Sequence, residues 1–596
     1  MKYTAKDVIK AFIDYFKEKG HVEIENASIL PEADGSLLFI NAGMAPIKRC
    51  FTGEVQPKSK RMCNVQTCIR TNDVESVGDR HHLTAFHMLG SWSIGDYFKE
   101  DAIKFASDLL INRMKIPKEK LYATVFSGDE KRNLPKDEES EKIWHEVGFN
   151  HFHCLALPFD DNFWRMGDGE CPCGPCTEVF FDSGEDKGNK YEITGEFDTK
   201  KRYLEIWNAG VFMQYFQHAD GSFTELCFKS VDTGAGLERL LMTLNGLDNV
   251  YETELFLPVM NKIKEYATNF NILSQRIIAD HTRSALLIFN SSLMPSNVKA
   301  GYILRMLIRR AFRHARKLGL TDVQYLEIVS ITYDTYFNCF SPKFNYTKDE
   351  FLEKFKIEQE KFSKLLKDGL KVFEEYLALP EVKESKQIPA KLTFKLYDTF
   401  GFPFEITQEL AKEHGLNCDE NEFNELLSLH KQNSKDASFA TFKSGLSDTD
   451  PQTIAHHTAT HLLHAGLRKV LGEQVCQKGS NITPERLRFD FNFERKMTQE
   501  EIKQVEDYVN EAIKNKIDVI REEMSPKQAK DSGAIGLFDN KYGDIVSVYT
   551  IKGYSKEICS GPHINNTGEL EFFKILKEES SSANIRRIKA YAPLKK

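Results

Sequence analysis

Apolar residues change their period along the chain, and the changes predict its parts. Near the start, Val8, Ile9, Phe12, Ile13 and Phe16 recur at helical spacing and predict an amphipathic surface helix. From about residue 22 to 240, short β-type runs (Tyr122 to Ser127, Glu178 to Asp182, Phe212 to Phe216) alternate with Gly- and Pro-bearing turns. That pattern predicts an α+β domain built on an antiparallel sheet. From about 250 the pattern turns helical. Glu350 to Leu379, without Pro or Gly until Gly369, reads as one long amphipathic helix or two shorter ones. The polar, Ser/Asp-rich stretch 434–451 reads as a linker, and a second α+β unit follows, opening with the helical pattern of Ala455 to Leu471. The expected parts are therefore 1–245, 246–433, 434–451 and 452–596.

Composition narrows the class. With 596 residues, 41% apolar and 28% charged, the chain matches an ordinary globular protein of several domains. No apolar run approaches the ~18 to 20 residues of a membrane span, and the N-terminus carries neither a signal-peptide core nor a transit pattern, so a cytoplasmic protein is expected. A net charge of −8 does not exclude a nucleic-acid partner, because a local basic stripe can hold phosphates on an acidic protein. Gly301 to Gly319, GYILRMLIRRAFRHARKLG, places Arg305, Arg309, Arg313 and Arg316 on one helix face and contains no acid, which predicts an RNA-phosphate surface. The 12 cysteines are scattered and read as reduced thiols; Cys171, Cys173 and Cys176, with no His or Cys in the next dozen residues, read as a tight Pro/Gly turn rather than a zinc site.

Two stretches carry candidate chemistry in the first part. In VDTGAGLERLL, Val231 to Leu241, Gly234 and Gly236 flank an expected turn, after which a helix carrying Arg239 begins. Glycines there let backbone approach a ligand, and a helix start with an arginine favours phosphate. Upstream, Arg70 precedes a polar loop, and His81 to Phe98 reads as the returning strand, so an arginine before the loop can clamp a phosphate and a carboxylate together.

The ordered set NAGM (Asn41 to Met44), MLGSWSIGDYF (Met88 to Phe98), NFWRMG (Asn162 to Gly167), PCGPCTE (Pro172 to Glu178), EIWNAGVFMQY (Glu205 to Tyr215), VDTGAGLERL, IADHTRSA (Ile278 to Ala285), PSN (Pro295 to Asn297) and LYDTFGFP (Leu396 to Pro403) resembles the alanyl-tRNA synthetase family of class II synthetases. The resemblance implies a class II antiparallel sheet with flanking helices, then an all-helical tRNA-recognition domain and a small α+β editing-like domain. It implies ATP with Mg²⁺, alanine and the acceptor stem of tRNA(Ala) as ligands. By position, Arg70 would hold the α-phosphate and the substrate carboxylate, Arg239 the γ-phosphate, and His87 and Gly236 would belong to the ATP site, His87 standing where the family often has Glu. Met44, Trp164 and Val211 would wall the alanine pocket, with Asn208 and Gly234 beside it and Asp232 on the substrate ammonium. One methyl contributes only about 0.8 kcal/mol on burial, so walls must exclude larger side chains, and a pocket alone rejects glycine or serine by only ~10 to 200-fold. Asn297 and Asp398 would read the G·U pair of the acceptor stem, next to the RNA-facing Arg305, Arg309 and Arg313.

In the last part His457 and His461 stand one helical turn apart, and Cys559 and His563 follow at Cys-x₃-His spacing. These are four ligands of the right kind for one Zn²⁺. Their order is that of synthetase editing domains, where the site hydrolyses mischarged tRNA. The chain departs from that pattern. Only a short linker precedes His456 where family members carry a β-barrel subdomain, Pro562 stands where a threonine is usual, and the chain stops where relatives continue into a dimerising domain. A reduced, monomeric form is expected, with editing left open. The rival readings are a stand-alone deacylase and a non-catalytic tRNA-binding protein.

Overall fold

The computed structural model describes residues 2–31, 37–167, 169–188, 202–430, 450–536, 545–582 and 585–595. Of the expected linker 434–451, all but Asp450 and Pro451 lies outside the described residues. The chain forms two compact units, Met1–Asp419 and Glu420–Lys596.

The first unit opens with the expected helix, Ala5–Glu18. It starts at a reciprocal cap between Thr4 and Asp7 and buries Val8, Phe12, Ile13 and Phe16. Its sheet comprises β1 (Val22–Glu23), β2 (Arg61–Ile69), β3 (Ala85–Ile94), β4 (Leu121–Phe126), β5 (Cys154–Leu157), β6 (Phe163–Arg165), β7 (Cys171–Asp182), β8 (Tyr203–Gln217) and β9 (Phe223–Gly236). The strand order is β1-β2-β3-β9-β8-β7-β4-β5, with β6 on β7. Pairing is antiparallel except between β1 and β2 and between β4 and β5 at the two ends. Cys171, Cys173 and Cys176 therefore lie in a strand rather than in the expected turn, with a register shift between Cys173 and Cys176, and all three are buried free thiols. Phe12 and Phe16 of the first helix lie against Trp207 of β8 at 5.8 and 6.3 Å between ring centroids, fixing helix to sheet.

The helices that follow include Leu257–Tyr266, Ile272–Asn290, Lys299–Lys317, Asp322–Phe340, Lys348–Leu377, Ala390–Phe400 and Phe404–Glu413, and a parallel pair, β10 (Gln387–Ile388) and β11 (Asn417–Cys418), joins the last of them to the rest. The run expected as one helix or two is a single helix of 30 residues, capped by Thr347 and Glu350. Gly369 sits where a Cβ would come within 2.6 Å of the Phe402 ring, so the glycine is a packing contact and not a break. One hydrophobic cluster runs from Ala5 to Leu416 through sheet and helices alike, so the boundary expected at 245/246 falls inside a continuous core.

The basic stripe is corrected by the structure. Arg309 and Arg313 are buried at 6% and 5% exposure. Arg309 Nε donates to Glu358 at 2.8 Å, and Arg313 donates to Glu413 at 2.7 Å and lies 3.1 Å from Glu409. Arg310 and His314 also reach Glu409. The helix holds no acid, but its neighbours Lys348–Leu377 and Phe404–Glu413 supply the partners, and these arginines join helices instead of facing RNA. Arg305 and Arg316 keep part of their side chains in solvent, but Arg305 too reaches Glu358, at 3.3 Å, and Arg316 pairs with Asp322 of the next helix.

The second unit packs helices Pro451–Leu471 and Gln499–Lys514 on a sheet of β12 (Gln477–Ile482), β13 (Leu487–Asn492), β17 (Lys574–Ser582) and β18 (Ile585–Tyr591), ordered β12-β13-β18-β17. A second sheet runs β14 (Val519–Met524), β15 (Val546–Ile551), β16 (Ser555–Ile558).

Removing one member of a buried ion pair leaves an uncompensated charge and costs about 3 to 5 kcal/mol. Glu358→Gln is therefore expected to lower stability by that order, read as a shift of the urea midpoint by circular dichroism. The exposed Glu374→Gln is expected to leave the midpoint unchanged.

Candidate functional site

The centre of the large sheet gathers the first set of side chains through its register. Trp92 of β3 pairs with Asp232 of β9, Val211 of β8 flanks Asp232 from the other side, and Gly90 and Asn208 bracket Gly234 in the same way. Since alternate residues share a face, the side chains of Trp92, Asp232 and Val211 stand together. Trp92 Nε1–H donates to Asp232 Oδ1 at 2.7 Å. Burial pushes the Asp232 carboxyl up to about 7, and the indole hydrogen bond pulls it back only in part. Met44, Trp92 and Val211 are buried in one apolar cluster, with Trp164 packed on its edge. The residues expected around an amino-acid pocket thus meet around Trp92. Asn208, one pair further along, donates to Glu178 at 3.2 Å.

Small residues make this possible. A Cβ at Gly90 would lie 2.4 Å from the Trp92 ring, and one at Gly234 would lie 2.8 Å from Met88 Sδ. The expected turn at Gly234 and Gly236 is instead the last stretch of β9. The strand runs straight into the helix Leu237–Leu244, with Gly236 as its N-cap residue.

Gly234 and Met88 also border a cavity lined by Arg70, Phe86, Glu205, Gly236 and Arg239. Arg70, just past β2, donates to the Asn41 carbonyl at 3.1 Å and carries its guanidinium 5.0 Å over the Phe86 ring. Arg239 donates to both the carbonyl and the carboxylate of Glu205 at 3.0 Å. Glu178 lies close enough to Glu205 to feel its charge. Burial first and that charge second raise Glu178 well above the usual carboxylate range. Two arginines, a flat apolar wall and a crowded carboxylate pair suit phosphates, a planar base and a divalent cation.

His87 is not part of this cavity. Strand alternation turns Phe86 and Met88 to the cavity and His87 to the opposite face, where it is 3% exposed. Its Nδ1 lies 2.9 Å from Glu238, its Nε2 2.9 Å from the Tyr336 hydroxyl, and its ring stacks on Phe340 at 4.2 Å. Both ring nitrogens are engaged, Nδ1 with the helix Leu237–Leu244 and Nε2 with the helix Asp322–Phe340, so the ATP-site expectation for this residue is corrected. Sequence reasoning missed Trp92, Phe86 and Glu205. Trp92 and Glu205 lie inside quoted motifs, but only the strand register reveals which way they face.

Asn297 and Asp398 lie elsewhere in the unit, both exposed. Asn297 Oδ1 accepts from Arg305. Tyr397, next to Asp398, lies 6.4 Å ring to ring from Tyr302 of the same arginine-rich helix, so both residues border that helix's first turns.

In the second unit the four expected ligands converge: one ligand atom each from His457, His461, Cys559 and His563 lies within 4.8 Å of all the others. Cys559 Sγ is 3.3 Å from His457 Nε2. Each ring's other nitrogen is engaged: His457 Nδ1 donates to the Pro562 carbonyl at 3.0 Å, His461 Nδ1 lies 2.9 Å from Glu557, and His563 Nδ1 lies 3.1 Å from the Thr458 hydroxyl. His563 Nε2 is buried with no hydrogen-bond partner among the described residues. Burial favours the neutral thiol of Cys559, but the histidines around it hold it well below the usual range. A thiolate and three histidines presenting Nε2 to one point fit a tetrahedral Zn²⁺.

A family model described as "tRNA synthetases class II (A)" matches residues 7–505, and one described as "Threonyl and Alanyl tRNA synthetase second additional domain" matches 546–589. An alanine–tRNA ligase of Borrelia hermsii is 45% identical over 592 residues, covering 98% of each chain. That of Treponema denticola is 45% identical over 597 residues, again 98% of each. That of Francisella tularensis subsp. mediasiatica is 34% identical over 702 residues, covering 98% of this chain and 79% of the relative.

The position of His87 has a direct test. His87→Gln is expected to lower the melting temperature by several degrees through its bonds to Glu238 and Tyr336. ATP affinity, measured by calorimetric titration, should stay within about twofold, because a group that touches no ligand contributes no binding energy.

Proposed function

This chain belongs to the alanyl-tRNA synthetase family of class II synthetases, and we propose that it is an alanine–tRNA ligase working through the two adjoining pockets of its first unit. The reading is carried by one observation: Arg70 and Arg239 line a single cavity whose border, at Gly234 and Met88, adjoins the buried Asp232–Trp92 pair. An alanine carboxylate oxygen attacks the α-phosphorus of ATP, pyrophosphate leaves, and the terminal ribose hydroxyl of the tRNA then takes the acyl group from the adenylate, releasing AMP. No side-chain nucleophile is needed, so catalysis is positioning and charge stabilisation.

Asp232 holds the substrate ammonium, while Met44, Trp164 and Val211 limit the side chain to a methyl. Arg70 draws the alanine carboxylate and the α-phosphate together, with Phe86 beneath its guanidinium, and Arg239 binds the far end of the triphosphate. Glu178 and Glu205 are the residues that would hold Mg²⁺, which when bound supplies charge neutralisation on the phosphates. Asn297 and Asp398 read the acceptor stem, with Arg305 fixing the Asn297 amide as a positioning residue.

The second unit is read as a reduced editing-type module that binds one Zn²⁺ through His457, His461, Cys559 and His563. The Francisella alignment runs over 702 residues against a chain of 596, so the relative carries insertions that this chain lacks. That supports the absence of the barrel subdomain. Four protein ligands fill a tetrahedral sphere, the arrangement of a metal that contributes folding energy; deacylation at the ion would require a ligand to leave for water.

Alanine-dependent exchange of pyrophosphate into ATP tests the ligase reading. Asp232→Asn is expected to cut it by about 10² to 10³-fold, the loss of a buried charge pair. Because burial lifts Asp232 to about 7, the carboxylate that binds the ammonium prevails above that pH and is lost below it. The KM for alanine is therefore expected to rise up to about tenfold per pH unit below neutrality. An unchanged profile in Asp232→Asn would refute the assignment.

The zinc reading is tested by elemental analysis. One equivalent per chain is expected, lost in Cys559→Ala, and a strong chelator should lower the unfolding temperature of the wild type by several degrees.

A further inference from the structure

The four ligands of the second unit do not account for a buried carboxylate beside them. Glu557 leaves β16 two residues before Cys559, so both side chains point to the helix Pro451–Leu471. It is 4% exposed. One oxygen, Oε2, lies 2.9 Å from Nδ1 of His461; the other, Oε1, lies 3.1 Å from Nδ1 of His464 and accepts from the Ser555 hydroxyl at 3.0 Å. His461 and His464 are three residues apart on the helix and so share a face. Only His461 belongs to the converging ligand set. His464 Nε2 is buried with no hydrogen-bond partner among the described residues and faces the core beside Phe489.

Resting on the zinc reading above, we propose that Glu557 is the positioning residue of the metal centre: it clamps His461 and His464 with one carboxylate and commits His461 Nδ1–H, so that the Nε2 lone pair faces the ion. The other two ligand rings are oriented by neutral groups, a carbonyl and a hydroxyl. Glu557 is the charged partner, and a carboxylate behind a ligating imidazole raises its basicity as well as fixing its tautomer. His464 answers to the structural half of this clamp, because it holds the carboxylate from the side away from the metal. Removing His464 loosens the core without freeing the His461 ring, whereas removing Glu557 does both.

The experiment uses the full-length chain and Zn²⁺, with affinity read by competition against a chromophoric chelator and cobalt substitution reporting the thiolate absorption of Cys559. Glu557→Ala is expected to weaken zinc about 10 to 100-fold. Glu557→Gln, which keeps one acceptor oxygen, should fall between it and the wild type. His464→Phe is expected to lower the melting temperature and leave zinc affinity within about twofold. Should Glu557→Ala not fold, the Glu557→Gln comparison carries the same test. Wild-type zinc affinity in both Glu557 variants, with metal lost in His457→Ala, overturns the positioning role and leaves the zinc site standing. An equal loss in His464→Phe and Glu557→Ala also overturns it, since packing alone would then explain both. A wild-type chain that binds no zinc overturns the zinc reading and this inference together.

Discussion

The centre of the large sheet depends on one carboxylate, Asp232, buried with the Trp92 indole as its donor. Burying an ionisable group with incomplete hydrogen bonding is costly and is tolerated where surrounding packing fixes it. Here the fixing comes from strand register: Trp92 and Val211 are the two cross-strand neighbours of Asp232, so neither can slip without turning every side chain of its strand to the other face. Glycines at 90 and 234 leave room for the indole and for Met88, which is why no larger residue suits those positions. Because the carboxyl sits near 7 rather than near 4, it is a poor anion until a cation arrives. That property suits the proposed role of holding a substrate ammonium.

The helical half solves a different problem with similar chemistry. The helix Lys299–Lys317 buries three arginines and a histidine among the other helices and could not do so without anions. Glu358, Glu409 and Glu413 arrive from two other helices, each shared by two or more cations. Sharing lets one desolvated acid satisfy several donors and fixes the angle between helices more tightly than apolar packing would. Arg305, at the open end of this series, couples the network to Asn297 and so to the surface read as the acceptor-stem contact.

What was legible in the sequence follows from this. Periodicity located the first helix, the 30-residue helix and the helix bearing His457 and His461, because a one-dimensional pattern fixes which residues share a face. The strand–loop–strand around Arg70 and the Cys-x₃-His spacing were legible for the same reason. Partners far apart in sequence were not. The arginine stripe looked solvent-facing because its acids lie about 50 and 100 residues downstream, and His87 looked like a site residue because nothing local says which side of β3 faces the cavity. The run around Gly234 looked like a turn because glycine is common in turns, yet here it answers to side chains on a neighbouring strand. At 245/246 the change of period marks a change of element, while one apolar core runs across it.

Comparing the buried carboxylates sorts the roles. Burial alone would raise each of them. Glu238, with Arg283 and His87 against it, is brought down to about 2, and Glu409 and Glu557, each with two or more cationic or imidazole partners, are likewise held below the usual range. Asp232 and Glu178 are raised instead, because their local donors are neutral amides or an indole, and Arg239 offsets little of what Glu205 does to Glu178. The first group is already compensated and serves to hold elements together; its members would gain little from a further cation. The second group is under-compensated in the folded protein: Asp232 has the Trp92 indole as its donor, and Glu178 stands against Glu205 of the cavity wall, which suits the ammonium and the divalent ion of the proposed function. What separates the two groups is how much of their charge the protein itself has neutralised, and that difference favours the second group as the ligand-binding one in the proposed function.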